Sequence, residues 1–226
     1  FTAYMSAGIE VPTTPRDVGR IAAELRADGR SPVMLCAPPL MHGTALFLAI
    51  GAFVMGGSVV LLGSRSFDAD ELWDLVQRHR VTQISLVGDA FARPLNEALD
   101  AAEADGVIHD LSSVTRIVST GATLSVDQKR AFQRRLPNAA IIDMIGASEG
   151  GPYAMAVTLP GTEPPDTAVF TAPPNVVTID PLTDQVLPRG SDVPGMLAAA
   201  GPMPRGYWRD DAKTADTFRT VDGACS

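Results

Sequence analysis

The sequence predicts an α/β protein: a mostly parallel sheet with helices on both faces, followed by a smaller β-rich unit. Three observations lead there. Up to Tyr153, short apolar runs alternate with helical patterns, which is the texture of repeated strand-helix units. Those runs are apolar at nearly every position rather than at every second one, as in strands covered on both faces. After Tyr153 the texture shifts to "TLPGTEPPDTAVFTAPPN", too rich in proline for a helix or a central strand. The expected division is residues 1–160 for the α/β part and 161–226 for the β-rich part, which is incomplete. At 226 residues the chain is long enough for one sizeable core and a smaller second unit.

An amphipathic helix is expected over Pro15–Ala27, and strands over Val33–Cys36, Ser58–Leu62, Gln83–Val87, Arg116–Ser119 and Ala139–Ile145. The run "TALFLAIGAFVMGGSVVLL" is long enough to span a bilayer, and nothing from Ser31 through Ser64 is charged apart from the titratable His42. Gly56 and Gly57 break it, so it reads as a buried helix over Thr44–Met55, a turn and a buried strand. "FDADELWDLVQRHRV" begins with Asp68 as N-cap and Glu71 three positions on, then sets Leu72, Leu75 and Val76 on one face. "LSVDQKRAFQRRL" repeats the capping-box pattern with Ser125 and Gln128, and its charged run reads as a solvated helix face. Helical crossovers make parallel pairing the economical topology. Beyond the proline-rich stretch, "VVTIDPLTDQVLP" reads as strand, turn and strand, and "GMLAAAGPMPRGYW" as another short strand with turns.

A net charge of −8 argues against wrapping nucleic acid or docking electrostatically on anionic lipid. Two cysteines, Cys36 and Cys225, make neither a disulfide framework nor a metal cluster, which suits a reducing cytosol. The opening residues lack both a basic start and the apolar core of a signal peptide, and the chain reads as an excised piece.

In an open parallel sheet, ligands bind beyond the carboxyl ends of the strands. Three segments there combine small residues with polar ones: "APPLMHGTA", "STGATLS" and "IGASEGG". Gly121 and Gly146 permit close backbone approach to a flat or phosphorylated ligand, Ser148 could hydrogen-bond a phosphate, and Glu149 could hold Mg2+. One carboxylate suffices for magnesium when phosphate oxygens and water complete its shell. The same glycines and serines also describe an ordinary turn. His42 reads either as a substrate contact or as a loop-stabilising hydrogen bonder, and Asp89 either as a ligand contact or as a helix cap.

Taken in order, four blocks resemble the adenylate-forming superfamily, and within it the fatty-acyl-CoA synthetases. They are "PPLMHGTA", "STGATL", "DMIGASEGG" and "GMLAAAGPMPRGYWRDDAKTADTF", and they span nearly the whole chain. The resemblance implies activation of a fatty or other carboxylic acid with ATP to an acyl-adenylate, followed by transfer to coenzyme A. It also implies that Glu149 binds Mg2+ and that Ser148, in place of the usual threonine, contacts the nucleotide phosphate. Gly121, Ala122 and the stretch Asp143, Met144, Ile145 and Gly146 would frame the adenine of ATP or AMP. His42 would sit beside the acyl and adenylate pocket, with Gly146 and Ala147 on the acyl side.

Ile145 stands where the family has an aromatic that stacks on adenine, and Met196 replaces a common glutamate. By the same resemblance a Ser/Thr/Gly-rich phosphate loop belongs before residue 1. A ribose-binding aspartate, a hinge and a small C-terminal domain belong after residue 226; Asp222 lacks the surrounding pattern of that aspartate. A ligase that loads a carrier protein and a non-catalytic nucleotide- or acyl-binding module are the alternatives. A homo-oligomer is one of the partner options, and exposed apolar surface at the cut edges would produce artificial association.

Overall fold

The computed structural model describes residues 12–200, 203–218, 220–221 and 224–225. Asp222 lies outside the described residues. Helices run over Pro15–Ala27 (α1), Gly43–Val54 (α2), Ala69–His79 (α3), Gly88–Ala104 (α4), Val126–Arg135 (α5) and Asp211–Thr217 (α6). Strands are Val33–Cys36 (β1), Ser58–Leu61 (β2), Gln83–Leu86 (β3), Arg116–Thr120 (β4), Ala140–Ile145 (β5), Ala154–Thr158 (β6), Val176–Ile179 (β7), Met196–Ala199 (β8), Thr220–Val221 (β9) and Ala224–Cys225 (β10). The chain forms two compact units: residues 1–143 with 157–168, and residues 144–156 with 169–226.

The large sheet has the order β2-β1-β3-β4-β5-β6, and the pairs among β1 to β4 are parallel. Parallel pairing joined by helices brings the carboxyl ends of β1, β3 and β4 to one edge, where ligands bind in such sheets. β6 was not expected; its residues "AMAVT" alternate buried and less buried positions, a strand pattern overshadowed by the neighbouring prolines.

The first unit owes its core to helix faces laid on this sheet. α1 is closed by a reciprocal cap in which the Thr14 hydroxyl accepts from the Asp17 amide and the Asp17 carboxylate accepts from the Thr14 amide at 2.8 Å, and it buries Ile21 and Leu25. In α3, Asp68 caps the Glu71 amide at 3.0 Å as expected, but the Glu71 carboxylate turns away to accept from the amides of Gly63 and Ser64. α3 points Leu72, Trp73 and Val76 inward, and the Trp73 indole donates to the Leu95 carbonyl at 2.9 Å, so a large apolar group enters the core with its one donor satisfied. Each such side chain contributes about 1.5–3 kcal/mol of burial free energy.

Three expectations are corrected. Ser125 is the N-cap of α5 but makes no side-chain cap; Gln128 instead accepts from the Asn96 amide at 2.8 Å, and the Ser125 amide is held by Asp89. The charged face of α5 is not wholly solvated, because Lys129 is buried and lies 2.5 Å from the buried Asp143 carboxylate. β2 is the sheet's edge and is half-exposed rather than buried on both faces.

α2 carries the apolar run that was long enough for a bilayer, but among the described residues no helix is long and apolar enough to cross a membrane. It buries Ala45, Ala49 and Ala52, whose small side chains share one face, while Leu46, Phe47, Ile50 and Phe53 remain exposed.

In the second unit β7 and β8 pair antiparallel in the register Val176 with Ala199 and Ile179 with Met196. The strand-turn-strand expected at residues 176–188 forms β7 and a single bridge between Ile179 and Val186, flanked by the Leu187 amide on the Thr178 carbonyl at 2.8 Å and the Asp180 amide on the Gln185 carbonyl at 2.9 Å. β9 and β10 form a short antiparallel pair.

Candidate functional site

In the first unit three strand-end segments interlock. Gly88, at the start of α4 just beyond β3, has φ +52°, and a Cβ there would lie 2.4 Å from the Thr123 carbonyl oxygen, so only glycine lets the turn after β4 approach this closely. Its amide donates to the Ser119 hydroxyl at 3.1 Å. Next to it, the Asp89 amide donates to the Thr123 carbonyl at 3.0 Å, and the Asp89 carboxylate accepts from the Ser125 amide at 2.8 Å. Asp89 is therefore a cap, not of its own helix but of the entry to α5.

These bonds hold the turn of Gly121 and Ala122, both exposed, against Val87 and Thr44. Gly121 has φ +87°, the conformation expected of a glycine that turns the chain away from a strand. His42 is exposed at the N-cap position of α2 and makes no side-chain cap bond. Asp143 differs from the other expected site residues in being buried: its carboxylate faces Lys129, and desolvation pushes it above the ordinary carboxylate value.

The second unit holds the segment that follows. Ile145, Gly146, Ala147 and Ser148 are exposed, while Met144 and Glu149 are half-buried. The turn is closed by the Gly151 amide on the Ala147 carbonyl at 2.9 Å and the Tyr153 amide on the Ile145 carbonyl at 2.8 Å. A Cβ on Gly151 would come within 2.6 Å of the Ala147 nitrogen, so the turn admits no side chain there.

The Glu149 carboxylate accepts a short hydrogen bond from the Tyr207 hydroxyl through Oε1. That bond holds the carboxyl below its ordinary value, with a smaller contribution from Lys213, and pushes the Tyr207 hydroxyl up. Lys213 places its ammonium 4.1 Å from the Tyr207 ring centroid. The Tyr207 amide donates to the Thr214 hydroxyl at 2.9 Å, tying the tyrosine to α6, and its ring lies 5.9 Å from that of Phe218. Tyr153 is likewise pushed up, first by burial and then by the charge of Glu149.

Among the described residues no group of three or more His, Cys, Asp or Glu could hold a metal by itself. A lone, ionised carboxylate suits magnesium that takes its remaining ligands from phosphate and water, so Glu149 fits the expected ion.

Sequence reasoning missed Tyr207 and Lys129. Tyr207 lies 58 residues from Glu149, beyond any local pattern, and Lys129 sits in a run whose charge masks its inward direction. For Lys129 the periodicity was a usable signal, since the buried Phe132 stands three positions on along the same helix.

A mostly parallel sheet with helices between its strands and small-residue turns at their carboxyl ends is the α/β architecture in which ligands bind beyond the strand ends. The chain belongs to the AMP-binding enzyme family, whose model matches residues 11–208. It is 38% identical to a medium/long-chain-fatty-acid–CoA/3-oxocholest-4-en-26-oate–CoA ligase of Mycolicibacterium smegmatis, over 82% of this chain and 33% of the relative. It is 34% identical to the medium-chain acyl-CoA ligase Mig of Mycobacterium avium, over 87% of this chain and 35% of the relative. Among solved structures, the amide bond synthetase McbA of Marinactinospora thermotolerans matches 91% of this chain and 40% of its own, with a TM-score of 0.66 and 26% identity. The chain thus spans about a third of the length of the curated relatives it matches.

Proposed function

We propose that the chain is part of an acyl-CoA synthetase that activates a fatty or other carboxylic acid with ATP and passes the acyl group to coenzyme A. The observation that carries this reading is Glu149, an ionised carboxylate held at a strand-end turn of exposed small residues, in a chain whose relatives are named as CoA ligases. A carboxylate is a poor electrophile; attack of its oxygen on the α-phosphorus of ATP, with pyrophosphate leaving, makes a mixed anhydride. The thiol of coenzyme A then displaces AMP from the acyl carbon.

Each residue has a part in that chemistry. Gly121 and Ala122 are exposed and leave backbone open to a flat base; Ile145 and Gly146 are likewise exposed at the end of their strand. The Ser148 hydroxyl is exposed and donates to a phosphate oxygen. Glu149 holds Mg2+, which when bound neutralises charge on the phosphates. His42 contacts the acyl and adenylate portion, and Ala147 the acyl side. Asp143 serves through the strand it anchors, since its carboxylate is occupied by Lys129.

ATP–pyrophosphate exchange dependent on a fatty acid tests this reading. Exchange is expected from the complete enzyme, not from this chain alone, and is expected to fall by about 10²-fold or more in its Glu149→Ala variant, on the scale of losing one charge-stabilising group. Equal exchange in a folded Glu149→Ala protein would remove Glu149 from the reaction.

A further inference from the structure

We propose that Tyr207 is a positioning residue that makes Glu149 a one-oxygen metal ligand and thereby sets the site's preference for Mg2+ over Ca2+; this rests on the reading of Glu149 as the metal-binding carboxylate.

The geometry lies within one unit of the fold. The Tyr207 hydroxyl donates a short bond to Oε1 of Glu149, so that oxygen already spends electron density on a proton. A cation approaching the carboxylate finds Oε2 the better donor and meets resistance to binding both oxygens together. Magnesium is small, demands near-octahedral geometry and takes carboxylates through one oxygen, whereas the larger calcium accepts two-oxygen coordination readily. A donor fixed on one carboxylate oxygen therefore favours the smaller ion.

Tyr207 is itself held from several sides. Its amide is bonded to Thr214, whose hydroxyl in turn donates to the Asp210 carbonyl at 2.7 Å. The Asp210 carboxylate caps α6 at the Lys213 amide at 2.9 Å, and the Lys213 ammonium sits over the ring. At Gly206, a Cβ would lie 2.4 Å from Thr214 Cγ2, so the chain approaches α6 closely just before the tyrosine. A side chain needed only to fill space would not require its hydroxyl to be aimed. Outer groups that orient a metal's ligand typically carry 10–100-fold in metal affinity.

The test is calorimetric titration of the chain with a non-hydrolysable ATP analogue over a series of Mg2+ and of Ca2+ concentrations, for the wild type, Tyr207→Phe and Glu149→Gln. Tyr207→Phe keeps the ring against Phe218 and the backbone bond to Thr214. Its half-saturating Mg2+ is expected to rise about tenfold, with a smaller rise or none for Ca2+, so that the preference between the two ions narrows. Loss of metal dependence in Glu149→Gln together with an unchanged ion preference in Tyr207→Phe would overturn the role of Tyr207 and leave that of Glu149 standing. Metal dependence that survives Glu149→Gln, or nucleotide binding that needs no metal in the wild type, would overturn both.

Discussion

Asp143 and Glu149 stand six positions apart, on and just beyond the same strand, and their surroundings push them in opposite directions. Asp143 is buried, faces a buried lysine and is raised by desolvation; Glu149 is half-buried, accepts from a neutral hydroxyl and is lowered by that bond. The first arrangement suits anchoring, because a carboxylate buried beside its counter-charge is shielded from a ligand arriving from solvent. The second suits binding, because a carboxylate kept ionised near solvent can take a cation at little cost in dehydration.

Breaking the buried pair tests this contrast most severely. Lys129→Met leaves Asp143 enclosed without its partner and is expected to destabilise the fold by about 3–5 kcal/mol in urea unfolding. Replacing both, as Lys129→Met with Asp143→Leu, is expected to recover most of that loss. If the single change cost no more than the double, the pair would not be the anchor described.

The two acids also predict opposite pH slopes. The folded value of Asp143 lies above its ordinary 3.8, so the folded state binds its proton more tightly; this contribution is greatest at low pH and is lost as pH rises through the folded value. The folded value of Glu149 lies below its ordinary 4.5, so its contribution is present above that pH and is lost as pH falls through the folded value. Stability measured from pH 3 to 7 should therefore gain slope with pH in Asp143→Asn and lose it in Glu149→Gln, each relative to the wild type. Slopes that shift in the same direction for both variants would contradict the assignment.

The smallest effect is expected at Ile145, which is exposed at the end of β5. Ile145→Tyr restores the aromatic that the family resemblance places there. It should tighten binding of an adenine nucleotide by about 0.5–1.5 kcal/mol, the usual worth of an aromatic stack. No gain in a nucleotide titration would place that side chain away from the base.

Much of this architecture was legible in the residues. Pro15–Ala27 is helical to the residue, and the five expected strands of the first unit all form, differing by a position or so at their ends. Continuous apolar runs between capped amphipathic helices leave few other ways to bury those faces. The caps themselves were harder to read. Ser125 and Gln128 have the right spacing for a reciprocal cap, but Asp89 and Asn96, brought alongside by the fold, compete for the same groups and win. The strand-end turns could be picked out because small residues and single polar groups are conspicuous after apolar runs. What holds their polar groups was harder to see: Tyr207 acts across 58 residues of chain, beyond any local pattern, and Lys129 shows its inward direction only through its place three positions before the buried Phe132.

The most direct measurement is a calorimetric titration of the folded chain with a non-hydrolysable fatty acyl-adenylate analogue. Saturable binding that weakens in Gly151→Ala, where the added methyl group would collide with the turn carrying Ser148 and Glu149, is the predicted result. No binding by a chain whose circular dichroism shows it folded, or binding indifferent to that substitution, would contradict the assignment of this turn as the adenylate site.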